Sequence, residues 1–484
     1  MGFLSQCQTN LLLLIGISFA VAVIYYALPW HWRLHWVLSF SLVFYVACSG
    51  WMTIALLTSV GWTWYCAWQM NVQGTKAQRG WLVAGVVPLV LLLAFFKYNG
   101  FFLEDFQRIL GKVGLGFAGN GGKILMPLGI SYYTFKNISY LADVFQGIIP
   151  AEKKIVRYST YALLFSQITA GPIDRYSNWS TVFEEGKPHY QSRLVEQGLN
   201  AICLGLFMKL VIANRLAAYT GEVFSQPNSF PGLALWVAAF FYAIQLYCDF
   251  AGYSYIAIGL TKILSLPCCE NFQRPYWAED IREFWARWHI SLSTWLRDYV
   301  YIPLGGSRCS KWRKNLNVMV TFLVSGLWHG VGLNYVIWGI WHGVLNVMTP
   351  KRGEATINNK SIVRRGLHVV KVGLNFLLVT LGWVFFASPN CRSALQFLKG
   401  MFCRFSCSGN ALQKTILPFT HDNTCLAFFL TALFFIAIYT LYEWNAEQKW
   451  VPSRPAFSFC WKVFLLVGVE LFGQFNGGFI YANF

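Results

Sequence analysis

Histidines set among tryptophans between residues 270 and 345 are the strongest candidates for chemistry in this chain. His289 lies in the run RWHIS, and His329 lies between glycines in the apolar run SGLWHGVG. A neutral imidazole in a buried cavity can accept the proton of a hydroxyl group as that hydroxyl attacks a thioester or ester carbonyl. Polar residues inside a membrane-length apolar segment are costly to insert, which favours a site over a purely structural position. The pattern therefore predicts a buried general base.

Each histidine also has a purely structural interpretation. His289 falls on the stripe of a predicted helix that would be buried, where a single hydrogen bond would satisfy it. His342 follows His329 by 13 residues in a similar Trp-His-Gly setting, and it is either a substrate-binding residue or a satisfied polar group near a helix end. The chain has no GxSxG, HExxH or P-loop motif. The histidines therefore serve direct transfer between two bound substrates, or they belong to a protein that is not an enzyme.

The composition predicts an all-α, polytopic integral membrane protein. Of the 484 residues, 56% are hydrophobic and 12% are charged. The apolar runs suffice for about 10–13 transmembrane helices, with interfacial and re-entrant helices between them. The net charge of +18 collects in short loops, as expected of cytoplasmic connections, so no nucleic-acid partner is indicated. We treat 1–484 as one transmembrane domain with N-terminal scaffold spans (1–125), a catalytic core (126–350) and C-terminal spans (351–484).

The predicted spans follow the apolar runs, and three segments between them differ in character. The spans are predicted at 10–30, 35–70, 81–99, 198–218, 232–266, 366–387, 424–443 and 458–480. Residues 101–123 mix charge with glycine and predict an interfacial helix and loop. The apolar part of 161–170 is too short to cross a bilayer, which predicts a re-entrant segment with Asp174 and Arg175 at its mouth. Loop 388–424 has no readable pattern.

Two elements must position the histidines. A helix from Trp285 to Tyr299 is predicted to lie in the interface plane, with its tryptophans at headgroup level. Residues 316–348 lie between basic loops at 307–315 and 351–365, which are both predicted to be cytoplasmic. The segment between them must enter the membrane and return, as a helix pair broken around 325–332. The break puts His329 beside loosened backbone, which is tolerated only against protein or a water-filled cavity.

A polar stripe is predicted on the span at 232–266. Gln245, Asp249, Gly252 and Ser254 recur there at spacings near four and three, which indicates a helix face turned toward the interior of a bundle.

The thirteen cysteines predict no metal site, because none forms a CxxC pair or a set with zinc spacing. One disulfide is possible, between Cys403 and Cys407, if their loop faces an oxidising compartment.

Several runs of the chain resemble the membrane-bound O-acyltransferase family. They are DFAGYSYIAIGL, ENFQRPY, FWARWHISLSTWLRDYVYIPLGG, SGLWHG and the closing LGWVFF and FIY. The likeness covers nearly the whole chain, and it is greatest to the bacterial branch that O-acetylates alginate, cellulose or peptidoglycan. GPIDR at 171–175 is similar to the sister branch, which transfers D-alanine to teichoic acids. Tyr255 stands where many relatives have an acidic residue, so no carboxylate role is carried over there.

The resemblance implies a ring of helices around a central tunnel, with the acyl donor approaching from the cytoplasm and the acceptor on the outer side. It implies that His329 is the catalytic base and that His289 is a second catalytic histidine, in positioning or donor binding. The oxyanion donors would be Trp328 Nε1 or backbone N–H groups around Gly330. The residues assigned to substrate binding are Trp328, Gly330, Arg287, Ser293, Arg297, Asp298, Asp249 and His342.

The expected function is O-acetylation of an exported, alginate-like, cellulose or peptidoglycan polymer, with acetyl-CoA as donor substrate and no cofactor. The resemblance implies a multi-pass protein of the bacterial cytoplasmic (inner) membrane, surrounded by lipid. Its expected partner is an extracytoplasmic SGNH-type acetyltransferase or a small membrane protein. D-alanyl transfer to teichoic acid is the alternative within the family. A transporter or channel is the alternative outside it, although the chain lacks the repeat that marks many transporters.

Overall fold

The computed structural model describes residues 11–72, 75–112, 127–168, 171–184, 190–350, 362–416, 425–447 and 455–475. All regular structure in these ranges is helical. Six of the described helices are long and apolar enough to cross a membrane. The predicted class, an all-α polytopic membrane protein, is confirmed. The chain forms two compact units, one of Met1–Leu199 with Ala257–Cys269 and Phe484, the other of Asn200–Ile256 with Glu270–Asn483.

Four of the N-terminal helices cover the predicted spans 10–30, 35–70 and 81–99, and the span 35–70 is divided by a turn at Gly50–Met52. The N-terminal helices are α1 (Leu11–Ala27), α2 (Trp30–Ser49), α3 (Thr53–Val72), α4 (Thr75–Lys112), α5 (Ile130–Phe145), α6 (Ile155–Leu163) and α7 (Tyr176–Glu184). The helix α4 also extends beyond its predicted span, because it continues without a break to Lys112. The interfacial segment expected from residue 101 is therefore part of a long helix as far as 112, and residues 113–126 lie outside the described chain.

Asp174 lies inside the first unit rather than at an exposed mouth. It is fully buried, and its carboxylate accepts hydrogen bonds from Asn178 Nδ2 at 2.7 Å and Trp179 Nε1 at 3.2 Å. The segment before it is the short helix α6 followed by a turn at 165–168. Because donors within one helical turn satisfy the carboxylate, its position there is structural.

The later helices carry the candidate site. They are α8 (Ser192–Leu206), α9 (Asn214–Ser225), α10 (Gly232–Ile263), α11 (Ile281–Arg287), α12 (Ile290–Leu296), α13 (Lys311–His329), α14 (Leu333–Met348), α15 (Ile362–Ala387), α16 (Cys391–Cys403), α17 (Gly409–Ile416), α18 (Cys425–Glu447) and α19 (Pro455–Phe472). A π-helical turn at Phe207–Ala213 joins α8 to α9, and a second at Arg297–Tyr301 follows α12. The unreadable loop 388–424 contains α16 and α17, with Cys403 and Cys407 free and exposed.

The polar stripe predicted on α10 is buried, and its members meet different neighbours. Thr220 Oγ1 donates to Gln245 Oε1, Lys209 Nζ donates to Asp249 Oδ1, and Asn271 Nδ2 donates to Ser254 Oγ. At Gly252 the backbone itself approaches, since a Cβ there would lie 2.9 Å from the carbonyl oxygen of Gly205. The stripe therefore connects α10 to four other segments of the second unit, namely α8, the π-helical turn, α9 and the loop at Asn271.

The helix predicted from Trp285 to Tyr299 is broken at its centre. α11 ends at Arg287, α12 begins at Ile290, and His289 between them has a left-handed backbone with φ of +43°. The loop containing ENFQRPY stabilises this break, because the backbone carbonyl of Asn271 accepts a hydrogen bond from Ile290 N at 2.9 Å. The tryptophans expected at headgroup level are instead buried inside the protein, and Trp288 is only 1% exposed.

The broken helix pair predicted at 316–348 is present. α13 and α14 are antiparallel neighbours separated only by residues 330–332. Their backbones approach closely, since a Cβ at Gly326 would lie 2.5 Å from the carbonyl oxygen of Tyr335, and one at Gly339 would lie 2.6 Å from that of Phe322. Small residues permit such contacts between membrane helices. Ser310 caps the start of α13 by accepting from Arg313 N.

Candidate functional site

A cavity of about 1010 Å³ lies among α11–α14 in the second unit. Four cations line it, namely Arg282, Arg297, Lys311 and Lys314, and none of its described lining residues is acidic. Asp298 does not line the cavity and pairs with Arg297 at 2.8 Å. The cavity therefore favours an anionic ligand.

One face of α13 forms a wall of this cavity along most of the helix. Its lining residues are Lys311, Lys314, Asn315, Val318, Thr321, Phe322 and Ser325, which recur at helical spacing. At 1.5 Å per residue, this wall extends for about 21 Å from the first to the last of them. It begins at the basic loop and ends in the apolar interior.

Two histidines lie one helical turn beyond lining residues of the cavity. On α13, His329 follows the lining residue Ser325 by four positions, and on α14, His342 precedes Asn346 by four. Residues four apart lie on the same helix face. His289 lies between α11 and α12, and its ring centroid is 6.2 Å from that of Trp328, which also contacts His329. The structure thus brings His289, His329 and His342 together beside one cavity.

His289 is held in a defined tautomer. It is 1% exposed, and its Nδ1 lies 3.0 Å from Asn271 Oδ1. The same oxygen accepts from Ser291 Oγ at 2.9 Å and from the Ser291 backbone N–H. A backbone N–H can only donate, so this amide atom is an acceptor, and His289 Nδ1 must carry the proton.

The second nitrogen of His289 is therefore the one with the lone pair. Among the described residues, His289 Nε2 has no hydrogen-bond partner. Burial against rings such as Phe250, 4.6 Å away between centroids, lowers the pKa of His289 to about 3. His289 lies outside the six candidate spans, and it stays neutral over the whole working range of pH.

His329 ends α13 inside an aromatic cage. It is 3% exposed, and its ring centroid lies 4.8 Å from that of Trp328, 5.0 Å from that of Trp338 and 5.3 Å from that of Phe386. Gly330 follows it with an extended backbone, and a Cβ there would collide with the ring of Tyr335. The close packing fixes the ring of His329 at the end of the helix.

His342 is completely buried and shares Trp338 with His329. Its ring lies 5.1 Å from Trp338, 5.2 Å from Trp285 and 5.7 Å from Trp383, measured between centroids. Trp285 also lines the cavity. A single wall of aromatic side chains therefore connects the cavity to both histidines of the helix pair.

The other residues assigned to substrate binding fall in two groups. Ser293 and Arg297 line the cavity, and Trp328 lies beside its inner end. Arg287 instead pairs with Glu283 at 2.7 Å and Glu447 at 2.9 Å. Asp249 is paired with Lys209 inside the helix bundle. In this structure neither Arg287 nor Asp249 reaches the cavity.

Sequence reasoning missed several residues of the site. Lys311 and Lys314 belong to the basic segment 307–315, from which only a cytoplasmic side was predicted. They also begin the helical stripe of lining residues that ends at Ser325. That stripe was a usable signal. Asn271, which orients His289, gives no comparable signal because its partner lies 18 residues away across a loop.

Comparison with known proteins supports the same region. The family model described as MBOAT, membrane-bound O-acyltransferase family, matches residues 150–349. These residues contain the cavity lining up to Thr349 and all three histidines.

Curated relatives extend the similarity over most of the chain. The chain is 35% identical over 397 residues to a probable alginate O-acetylase of Pseudomonas aeruginosa, covering 81% of this chain and 74% of that protein. It is 32% identical over 392 residues to a peptidoglycan O-acetyltransferase of Helicobacter pylori, covering 76% and 73%. It is 33% identical over 232 residues to a teichoic acid D-alanyltransferase of Bacillus subtilis, covering 45% and 57%.

Proposed function

Since this chain belongs to the membrane-bound O-acyltransferase family and is an acyltransferase, we propose that it transfers an acetyl group from acetyl-CoA to a hydroxyl of an exported cell-surface polysaccharide. The observation that carries the proposal is the cavity with four cations along its lining, with His329 and His342 one helical turn beyond it and His289 close to His329 through Trp328. The family supplies the reaction class. The cavity supplies the reasons for this donor and this base.

Acetyl-CoA fits the distribution of charge in the cavity. Its phosphates are anionic, and Arg282, Lys311 and Lys314 offer cations without an acidic residue in the described lining. Its pantetheine arm is long and uncharged, which suits the apolar positions Val318 and Phe322. The thioester would then lie beyond Ser325, within reach of His329.

His329 acts as the general base in this mechanism. It takes the proton of the acceptor hydroxyl while the hydroxyl oxygen attacks the thioester carbonyl carbon. The tetrahedral intermediate collapses as the C–S bond breaks, and CoA leaves as a thiolate that recovers the proton. His289, neutral with Nε2 as acceptor, orients a bound substrate beside the reacting atoms.

The donor enters from the cytoplasm of a bacterial inner membrane. The loop 307–315 is basic, which assigns the Lys311 end of the cavity to the cytoplasmic side. His329 lies 18 residues further along α13, about 27 Å away along the helix axis. The acceptor therefore approaches from the opposite side, where an exported polymer or an SGNH-type partner protein would be found.

The names of the relatives support a polymer acceptor and suggest a rival donor. Two relatives that cover most of the chain are named for O-acetylation of alginate and of peptidoglycan. The D-alanyltransferase relative covers 45% of the chain. We therefore favour acetyl transfer to a polymer, with D-alanyl transfer to teichoic acid as the alternative.

Release of CoA and transfer of label test the proposal directly. The purified protein in lipid nanodiscs, with its partner protein, is incubated with radiolabelled acetyl-CoA and alginate, cellulose or peptidoglycan fragments. His329→Ala should lower transfer by about 10²–10⁴, the usual share of a general base. His35→Ala, the same change at an exposed histidine, should leave transfer unchanged. Full transfer by His329→Ala would remove His329 as the base.

The donor is tested separately at the cations. Lys314→Gln should raise KM for acetyl-CoA roughly three- to tenfold with little change in kcat, because a contact to phosphate is kept in ground state and transition state alike. Lys399→Gln is the control, an exposed lysine on α16 outside the cavity. Transfer from a D-alanyl carrier protein but not from acetyl-CoA would favour the alternative.

A further inference from the structure

Buried polar groups around His342 lack partners at the inner end of the cavity. Among the described residues, both ring nitrogens of His342 and the indole nitrogens of Trp285 and Trp338 have no hydrogen-bond partner. His342 and Trp338 are 0% exposed, and Trp285 is 9% exposed. Buried polar groups are nearly always satisfied in proteins. Several unsatisfied groups in one cluster therefore indicate a polar ligand.

The cluster adjoins both the cavity and the proposed base. Trp285 lines the cavity and its ring centroid is 5.2 Å from that of His342. Trp338 is in ring contact with His342 at 5.1 Å and with His329 at 5.0 Å. A group that reaches the unsatisfied atoms from the cavity therefore arrives beside the proposed base.

The chemistry of the cluster selects an oxygen acceptor. An indole N–H can only donate, and a neutral imidazole has one N–H to donate. The ring neighbours of His342 are aromatic, and such surroundings favour the neutral imidazole over an imidazolium. A carbonyl oxygen accepts two such bonds, and it gains negative charge as its carbon is attacked.

We propose that His342 and Trp338 bind the carbonyl oxygen of the acyl thioester and stabilise its negative charge in the transition state. The inference rests on the proposed acetyl-CoA reaction. His342 and Trp338 neither gain nor lose a proton in this step, since the proton of the attacking hydroxyl goes to His329. The carbonyl oxygen becomes an oxyanion as the C–O bond forms, and it returns to a carbonyl as the C–S bond breaks. This assignment replaces Trp328 and Gly330 as the expected oxyanion donors.

Kinetics of single variants test the role in the transition state. Trp338→Phe and His342→Phe each keep a ring but remove the donor, and each should lower kcat by about 10²–10³ with KM for acetyl-CoA within threefold. His342→Gln keeps an N–H donor and should recover part of this loss. Trp341→Phe is the matched control, because its indole already donates to the Leu378 carbonyl at 3.0 Å. It should stay within threefold of the unaltered protein.

A spectroscopic measurement separates hydrogen bonding from packing. The infrared band of [1-¹³C]acetyl-CoA bound to the His329→Ala protein should lie at lower frequency than in solution. Adding Trp338→Phe or His342→Phe should move it back toward the solution value, whereas adding Trp341→Phe should not. Each double variant is first checked for a single monodisperse peak, and either one suffices if the other does not fold.

The outcomes separate the two proposals. A bound carbonyl band that is unshifted, or that none of the variants moves, overturns the role of His342 and Trp338 and leaves acetyl-CoA as donor. Equal losses of kcat in Trp338→Phe and Trp341→Phe also overturn it, since packing would then explain both. If neither the unaltered protein nor the His329→Ala protein shows a band of bound acetyl-CoA, acetyl-CoA is not the donor. The role of His342 and Trp338 is then refuted as well.

Discussion

Removing one partner of the buried pair Lys209–Asp249 should destabilise this protein far more than removing both. The Lys209 Nζ to Asp249 Oδ1 distance is 2.5 Å, and each side chain is 2% exposed. Asp249→Ala leaves an ammonium buried without its carboxylate, which costs about 3–5 kcal/mol. At roughly 2 °C per kcal/mol, the low value that suits a large chain, the midpoint of heat denaturation falls by about 6–10 °C.

The double variant Lys209→Met/Asp249→Leu should be close to neutral. Apolar residues of similar volume replace a buried ion pair with little loss, because the desolvation of both charges is also removed. Asp298→Ala is the control at an exposed pair, where Asp298 is 32% and Arg297 is 60% exposed. Its effect should stay within about 1 kcal/mol.

The assay is the fraction of monodisperse protein left after heating in mild detergent, followed by acyl transfer on the folded variants. A midpoint for Asp249→Ala within 2 °C of that for Asp298→Ala would refute the reasoning. A folded double variant that transfers normally makes Asp249 structural. A folded double variant without transfer would restore the substrate-binding role predicted from the sequence.

Three further predictions concern the site and its membrane placement. Asn271→Asp should make transfer fall at a higher pH than in the unaltered protein, because a carboxylate beside Nδ1 raises the pKa of His289 from about 3; identical pH profiles for the two proteins would contradict this. Cysteines introduced at Lys311 and Arg364 should both react only with a cytoplasmic thiol reagent, and labelling from opposite sides would contradict the helix-pair topology. Gly339→Leu should abolish monodisperse protein, since even a Cβ there lies 2.6 Å from a backbone oxygen of α13, whereas normal yield would show that the pair can separate.

Local patterns in the sequence were sufficient to predict the helices and the burial of His329. Apolar runs set where the spans lie, because an unsatisfied backbone in a membrane forces helix. Glycines and basic loops were enough to predict a helix pair with its break near 330, and helical spacing was enough to predict the buried stripe that includes Asp249. These features depend on residues within about two helical turns of each other, so the chain alone determines them.

The tertiary structure decided what each buried polar residue contacts. The sequence predicts one continuous helix through His289. In the structure the loop residue Asn271 accepts a hydrogen bond from Ile290 N at the helix break and fixes the tautomer of His289. The sequence predicts Asp249 as a substrate-binding residue, but in the structure its carboxylate accepts a hydrogen bond from Lys209, 40 residues earlier in the chain. Trp338 brings His329 and His342 into one cluster only because α13 and α14 pack together. Such partners are distant in sequence, and a buried polar group pairs with whatever donor the packing brings within about 3 Å.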